Sequence, residues 1–210
     1  MQSEVLTIYN RAKQPIGTAE REKVHTNGLW HETFHCWILD DTAKEPMLYL
    51  QRRSDTKKEF SSLFDITAAG HLLSHEQTED GIREIQEELG ISIVLSDLHF
   101  IGQFRCIPNQ VKIIDREFAS TYVFTAPIPF ESFALQEEEV SGIVRVPFRE
   151  FFDVCFQNQT SMSADGFIDT NGVREFYKNA LSLIDLVPHS LTFLQQVSLA
   201  IEELIRERKE

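Results

Sequence analysis

The sequence predicts an α+β domain with a helical extension at its C-terminal end, and three observations indicate this class. Short apolar or alternating stretches of strand length recur through residues 1–150. One amphipathic helical pattern interrupts them at about 74–89, and beyond Pro147 aromatic residues and helical spacing prevail. The chain has 210 residues, of which 42% are hydrophobic and 25% charged, which is sufficient for one substantial core.

The clearest strand pattern covers residues 31–39. These residues alternate, so that Phe34 and Ile38 lie on one face while His35 and Trp37 lie on the other. Both faces are partly apolar, and we therefore expect this strand to be covered on both sides. The remaining predicted strands lie at 4–9, 47–51, 64–67, 98–105, 117–125 and 141–147, with a turn at Pro15 to Gly17.

The clearest helical pattern spans residues 74–89. Within it, Ile82, Ile85 and Leu89 recur at helical spacing, and Gly90 follows as a stop signal. This pattern predicts an amphipathic helix whose apolar side packs on the sheet.

The end of the chain differs in character from the rest. We expect a polar loop at 157–172 and helices near 173–186 and 189–208. Residues 1–150 would then form the main domain, and residues 151–210 a helical extension packed on it.

The charge of the chain limits its partners. Lysine and arginine number 20 against 33 aspartates and glutamates, which gives a net charge of −13. Bulk charge therefore disfavours long nucleic acids as partners. A small anion can still bind where a local basic group or a bound metal reverses the field.

The cysteines and the hydropathy indicate the compartment. Cys36, Cys106 and Cys155 have apolar or aromatic neighbours and no CxxC spacing, so we expect buried free thiols in a reducing environment. No stretch approaches about 18 apolar residues, so no membrane association is expected. These features predict a cytoplasmic protein.

The predicted helix carries an acidic stripe. Glu84, Glu87 and Glu88 stand at i, i+3 and i+4, and therefore share one face. Like charges at these spacings cost a few tenths of a kcal/mol each in an isolated helix, so solvent, Arg83 or a divalent cation must offset the repulsion. Clustered carboxylate oxygens suit Mg²⁺ or Mn²⁺. A solvated surface remains the alternative for the stripe taken alone.

The residues around the stripe resemble the Nudix box, the signature of the Nudix hydrolases. Residues 83–91 read Arg-Glu-Ile-Gln-Glu-Glu-Leu-Gly-Ile, and Gly70 and Glu76 precede them. The match has one departure, because the interval between Glu76 and Arg83 is one residue shorter than in the family pattern. The role of Glu76 therefore stays open.

The resemblance implies an α/β/α sandwich around a mixed β-sheet. It also implies a metal-dependent hydrolase that cleaves a nucleoside diphosphate linked to another moiety, through a water activated by metal. In this reading Glu84, Glu87 and Glu88 bind Mg²⁺ or Mn²⁺. Arg83 orients them, so that Glu84, Glu88 and Arg83 belong to the catalytic group. Such enzymes often take a further carboxylate from a later loop, for which Glu139 is our candidate.

The substrate-binding candidates are less clearly marked than the metal ligands. The basic patch at 52–58 offers guanidinium groups to a phosphate, although an exposed hairpin would look the same. His31 and His35 share one face of the predicted strand and could contact the substrate, or could be core histidines. Trp30, just before this strand, could stack on a base, or could simply pack in the core. A glycine before the box could allow close backbone approach, or form a turn. These candidates are Arg52, Arg53, His35, Trp30 and Gly70.

Segments outside the box are similar to the Nudix branch related to isopentenyl-diphosphate isomerase. The similarity lies in residues 28–31, 50–53 and 65–71. That isomerase family carries a catalytic cysteine just before the box, whereas no cysteine lies between Cys36 and Cys106 here. Isomerase chemistry is therefore disfavoured, and a non-catalytic nucleotide sensor remains a further alternative. The expected partners are a small-molecule diphosphate and, from the family and the apolar extension, a second copy in a homodimer.

Overall fold

The computed structural model describes residues 4–42, 44–107 and 115–209, and in this part of the chain the strands join into one eleven-stranded sheet. The strands are β1 Val5–Tyr9, β2 Pro15–Glu20, β3 Trp30–Asp40, β4 Met47–Arg53, β5 Phe64–Asp65, β6 Ala68–His71, β7 Leu98–Cys106, β8 Arg116–Thr125, β9 Val140–Pro147, β10 Met162–Thr170 and β11 Val173–Leu181. The α-helices are α1 Arg21–Asn27, α2 Arg83–Leu89, α3 Phe148–Cys155 and α4 Leu191–Glu207.

Strand β3 is the centre of the sheet. It pairs antiparallel with β1, β4 and β6, and parallel with β8 from Trp30 opposite Arg116 to Leu39 opposite Thr125. The sheet is therefore mixed, as the sequence predicts. The pairings place the first half of β3 between β6 and the start of β8, which is where the functional side chains converge.

The alternation of β3 divides the core into two layers. Phe34 and Ile38 belong to one buried cluster together with Ile85 of α2. Trp37 faces the other cluster, where its ring centroid lies 5.7 Å from that of Phe151 in α3, and where α4 also packs. Helices thus cover both faces of the sheet, which confirms the predicted α+β sandwich. None of the helices in the described ranges is long and apolar enough to cross a membrane.

The prediction of a helix at 173–186 is wrong, and so is that of a loop at 157–172. These residues form β10 and β11, and β10 continues the sheet by pairing with β9. Asn171 and Gly172, both with positive φ, form the tight turn between the two strands, and Asn-Gly is a strong hairpin signal. The outer strand is largely exposed, so its mixed polar sequence conceals the strand pattern. The predicted helix 189–208 is confirmed as α4.

Two predictions in the first half of the chain are also corrected. The turn expected at Pro15 to Gly17 is the start of β2. The helix expected at 74–89 is α-helical only from Arg83, after a 3₁₀ turn at Thr78–Ile82. Within this turn Gly81 lies directly against Phe34 of β3, and a Cβ on Gly81 would overlap that side chain.

We expect Gly81→Ala to destabilise the protein by about 1–3 kcal/mol, because the added methyl group has no space against β3. Urea unfolding of the two proteins measures the difference. Glu79→Ala, at an exposed position of the same turn, is the matched control and should change stability by less than about 0.5 kcal/mol. Equal effects of the two substitutions would contradict this explanation of Gly81.

Candidate active site

A cavity of about 600 Å³ opens between α2, β6 and the first halves of β3 and β8. Its lining is dominated by ionisable side chains. The carboxylates include Asp65, Glu84, Glu87, Glu88, Asp115, Glu117 and Glu139; the cations are Arg21, Arg53, Lys57 and Arg83; the histidines are His25, His35, His71 and His189.

The acidic stripe of α2 forms one wall of this cavity. Glu88 is 7% exposed, and its carboxylate accepts hydrogen bonds from the Ala69 amide at 3.3 Å and from Gln51 Nε2 at 3.4 Å. Burial, and next the charge of Glu84, raise the pKa of Glu88 well above its usual value. Burial also raises the pKa of Glu84, to about 7, whereas Glu87 is half exposed. Two of the three carboxylates are therefore costly to ionise unless a cation joins them.

Gly70 provides the space for one of these carboxylates. A Cβ at Gly70 would overlap the carboxylate of Glu84, which packs against β6. The structure thus gives Gly70 a function in placing Glu84, and the glycine itself lines the cavity.

Arg83 joins the loop before α2 to the stripe. Its Nε donates to Glu76 at 2.7 Å, and its Nη1 donates to Glu84 at 2.5 Å and to Glu87 at 3.1 Å. Its Nη2 donates to Glu76 and to the carbonyl oxygen of His71, both at 3.1 Å. Glu76 therefore reaches Arg83 despite the shorter interval in the sequence, and it fixes the guanidinium from the side opposite the stripe.

The opposite wall carries further predicted residues. Glu139 lines the cavity and forms an ion pair with Lys57. Arg53 also lines the cavity, and its Nη1 donates to Asp65 at 3.2 Å. His35 lies at the cavity floor, where its Nε2 is 3.3 Å from Glu117.

Two of the predicted substrate-binding residues lie elsewhere. Arg52 is not part of the cavity lining, because its guanidinium donates to Ser141 at 2.6 Å and pairs with Asp55 at 2.9 Å. Trp30 is buried, and its ring stacks on that of Phe118 with a centroid separation of 4.7 Å.

A second group of potential ligands lies at the same cavity, and we call it the histidine centre: His25, His31, His71, Asp115 and Glu117. All of them except the fully buried His31 line the cavity. They come from α1, β3, β6 and β8, with Asp115 immediately before β8. The Nε2 atoms of His25 and His71 are 3.1 Å apart, and His31 Nε2 is 3.5 Å from Asp115 Oδ1. His31 and Glu117 are also direct partners in the parallel pairing of β3 with β8.

The electrostatics of the histidine centre favour a cation. His31 Nδ1 donates to the carbonyl oxygen of Leu29 at 3.1 Å, which leaves the lone pair on Nε2. His31 Nε2 and Asp115 Oδ1 are buried without a hydrogen-bond partner among the described residues. Burial lowers the pKa values of His25, His31 and His71, so the three imidazoles are neutral near pH 7. Neutral imidazole and carboxylate are ligand groups for divalent transition metals, and buried polar atoms without partners require an explanation of this kind.

Sequence reasoning missed most of this centre because its members are far apart along the chain. It considered His31 as a core histidine and did not consider His25, His71, Asp115 or Glu117. One signal was present, since Asp115 and Glu117 are two residues apart and therefore share one face of a strand.

Comparisons with known proteins agree with the fold. The NUDIX domain family matches residues 29–164. An uncharacterized Nudix hydrolase of Clostridium acetobutylicum is 35% identical over 202 residues, which cover 96% of this chain and 98% of that protein. Isopentenyl-diphosphate Delta-isomerase of Aliivibrio fischeri is 28% identical over 67% of this chain and 78% of its own length. The crystal structure of DR0079 from Deinococcus radiodurans matches with a TM-score of 0.56 at 16% identity, and covers 74% of this chain and 91% of its own.

An α/β/α sandwich with a carboxylate stripe on the wall of an acidic cavity, in a chain that matches the NUDIX domain family, defines an enzyme that acts on diphosphate bonds. The chain belongs to the Nudix family, and it is a Nudix hydrolase.

We expect Gly70→Ala to weaken Mn²⁺ binding about tenfold while leaving the fold intact. The added methyl group displaces the flexible carboxylate of Glu84 rather than the backbone of β6. Mn²⁺ titration followed by electron paramagnetic resonance measures the affinity, and thermal unfolding measures stability. A loss of stability without any change in Mn²⁺ affinity would show that Gly70 serves only the strand.

Proposed function

We propose that this enzyme is a metal-dependent pyrophosphohydrolase for a small diphosphate, such as a nucleoside diphosphate linked to another moiety. The observation that carries this proposal is the pair Glu84 and Glu88. They stand one turn apart on α2 at the wall of a cavity, where Glu88 is buried and Glu84 partly buried, and this burial raises both pKa values. Such a pair is stabilised by a divalent cation and has no evident use without one.

Mg²⁺ or Mn²⁺ fits this part of the cavity, since Glu84, Glu87 and Glu88 offer only hard carboxylate oxygens. When bound there, the metal would polarise the diphosphate and lower the pKa of a water molecule. Arg83 holds Glu84 and Glu87 from one side, so the ligands need little reorganisation.

The remaining residues of the cavity have roles that follow from their charge. Arg53 and Lys57 face the carboxylate wall and are suited to bind phosphate oxygens. Glu139 is paired with Lys57, and we propose it as the acceptor for the proton of the attacking water. Once a phosphate binds Lys57, the Glu139 carboxylate is free to accept that proton.

The histidine centre is proposed as a second cation site. Its mixture of imidazole nitrogens and carboxylates favours a transition metal such as Zn²⁺ over Mg²⁺. The two buried atoms without partners, His31 Nε2 and Asp115 Oδ1, support this proposal.

An isomerase is the second candidate function, because of the similarity to isopentenyl-diphosphate Delta-isomerase of Aliivibrio fischeri. Isomerase activity is disfavoured because Ala69 lies in the segment where the isomerases carry their catalytic cysteine. The described cysteines are free and buried, and burial raises the pKa values of Cys36 and Cys155 to about 12. Cys36 and Cys155 therefore do not supply a thiolate to the cavity.

A non-catalytic nucleotide sensor is the remaining alternative, and it would retain metal binding without turnover.

We also propose that the enzyme works in the cytoplasm as a homodimer. The free, buried thiols agree with a reducing compartment. Light scattering of the purified chain tests the dimer.

Glu88→Gln should lower kcat at least about 100-fold, because it removes a carboxylate that contributes several kcal/mol through the bound metal. The measurement is phosphate or nucleotide release from a panel of diphosphate compounds with Mg²⁺. Glu79→Gln, exposed and outside the cavity, is the control and should retain full activity. Absence of turnover for the native chain on every compound, with unchanged metal affinity in Glu88→Gln, would reject the hydrolase proposal.

His31→Gln and Asp115→Asn should each remove about one bound transition-metal ion per chain, because structural sites of this kind need their full ligand set. Metal content after dialysis, measured by mass spectrometry, detects the loss. Glu88→Gln is the crossed control, since it should retain the metal of the histidine centre. If all three variants keep the same metal content, the second site does not exist.

A further inference from the structure

The C-terminal part of the chain supplies two residues to the cavity lining, Val187 and His189, and of these His189, just before α4, has the polar side chain. The segment around it is fixed to β5 through the Val187 amide, which donates to the carbonyl oxygen of Phe64 at 2.8 Å. His189 Nε2 is 2.7 Å from Asp65 Oδ1, also on β5. The extension therefore forms a wall of the cavity, although neither the Nudix box nor the histidine centre uses it.

Both ring nitrogens of His189 have a partner. Nδ1 is 3.3 Å from Sγ of Cys106, which is fully buried. Asp65 forms an ion pair with Arg53, and a carboxylate only accepts hydrogen bonds. His189 Nε2 therefore carries a proton and donates it to Asp65 Oδ1.

Asp65 transmits this constraint to Arg53. One carboxylate oxygen, Oδ1, accepts from His189 and from the Ile66 amide, and the other, Oδ2, accepts from Arg53 Nη1 at 3.2 Å. Arg53 Nε donates to the carbonyl oxygen of Glu59 at 3.3 Å. Among the described residues, Nη2 of Arg53 has no hydrogen-bond partner, and it is the donor that remains for a ligand.

The acidic lining of the cavity explains why Arg53 needs a fixed partner. Arg53 lies among many carboxylates, including Glu59, Glu88 and Glu139, and a guanidinium without a fixed partner would pair with one of them. A fixed Asp65 keeps the Arg53 guanidinium from pairing with another carboxylate. It also reduces the conformational entropy that Arg53 loses when a ligand binds.

We propose that His189 is a positioning residue for diphosphate binding: through Asp65 it holds Arg53 in the orientation that receives a phosphate group. This proposal rests on the proposed function, because Arg53 serves there as a phosphate ligand. His189 itself does not touch the substrate, since both of its ring nitrogens are occupied.

Two substitutions of His189 separate positioning from packing. In His189→Gln the amide nitrogen takes the place of Nε2 and still donates to Asp65, whereas in His189→Asn it takes the place of Nδ1 and cannot reach. We expect KM to rise about tenfold in His189→Asn with kcat changed less than about twofold, and to stay within about threefold of native in His189→Gln. Binding of inorganic pyrophosphate with Mg²⁺, measured by calorimetry, should weaken in the same proportion.

A double-mutant cycle tests whether the effect passes through Arg53. Arg53→Ala alone should weaken pyrophosphate binding at least as much as His189→Asn, and adding His189→Asn to it should weaken binding no further. Additive losses in the double variant, or equal effects of the Asn and Gln substitutions, would overturn the proposal. His99→Gln, a half-buried histidine on β7, is the matched control and should bind pyrophosphate as the native chain does.

The two proposals fail in distinguishable ways. Normal pyrophosphate binding by both His189 variants, together with loss of turnover in Glu88→Gln, overturns the role of His189 and leaves the hydrolase intact. A native chain that neither hydrolyses diphosphates nor binds pyrophosphate overturns both.

Discussion

The contacts of Arg83 are the interaction on which the acidic wall depends. Its guanidinium touches Glu76, Glu84 and Glu87 at once, and it also donates to the backbone of β6 through the His71 carbonyl oxygen. Without this cation the stripe would spread, because like charges on one helix face repel and burial raises their pKa values further. Arg83 therefore joins the loop, the sheet and α2 into one acidic wall. The absence of a side chain at Gly70 leaves room in this wall for the carboxylate of Glu84.

The parallel pairing of β3 with β8 determines what faces this wall. It places His31 beside Glu117, while β6 on the other side of β3 contributes His71. One cavity thus contains two ligand sets of different chemistry. The α2 carboxylates form an oxygen-only set suited to hard cations, and the histidine centre forms a mixed set suited to transition metals. If both sets bind metal as proposed, their different donor types would allow different metals to occupy them at the same time.

The parts of the protein that sequence reasoning found are those with local periodicity. The alternation of β3, the stripe of Glu84, Glu87 and Glu88, and helix α4 all repeat at the spacing of one element, and all three are observed. The histidine centre has no period, because its donors come from elements that only the folded sheet brings together. The hairpin at Asn171 was missed although its turn signal is strong, because an edge strand with one exposed side has little apolar pattern. The 3₁₀ turn before α2 depends on a close approach to Phe34 that a single chain segment does not reveal.

The excess of acidic residues that gives the chain its net charge of −13 is also present in the lining of the cavity. Ten acidic side chains and four lysines or arginines line it, and all four of these cations, Arg21, Arg53, Lys57 and Arg83, already pair with carboxylates. Even if the residues with raised pKa values, such as Glu84, Glu88 and Asp115, were all protonated, acidic groups would still outnumber cations. A free diphosphate is therefore repelled, whereas divalent ions bound as proposed would reverse the local field. In the proposed function, metal and diphosphate would favour each other's binding by the same factor, since coupling between two sites is reciprocal. The acidity that disfavours long polyanions at the protein surface would then restrict the cavity to phosphates that bind with, or after, a metal ion.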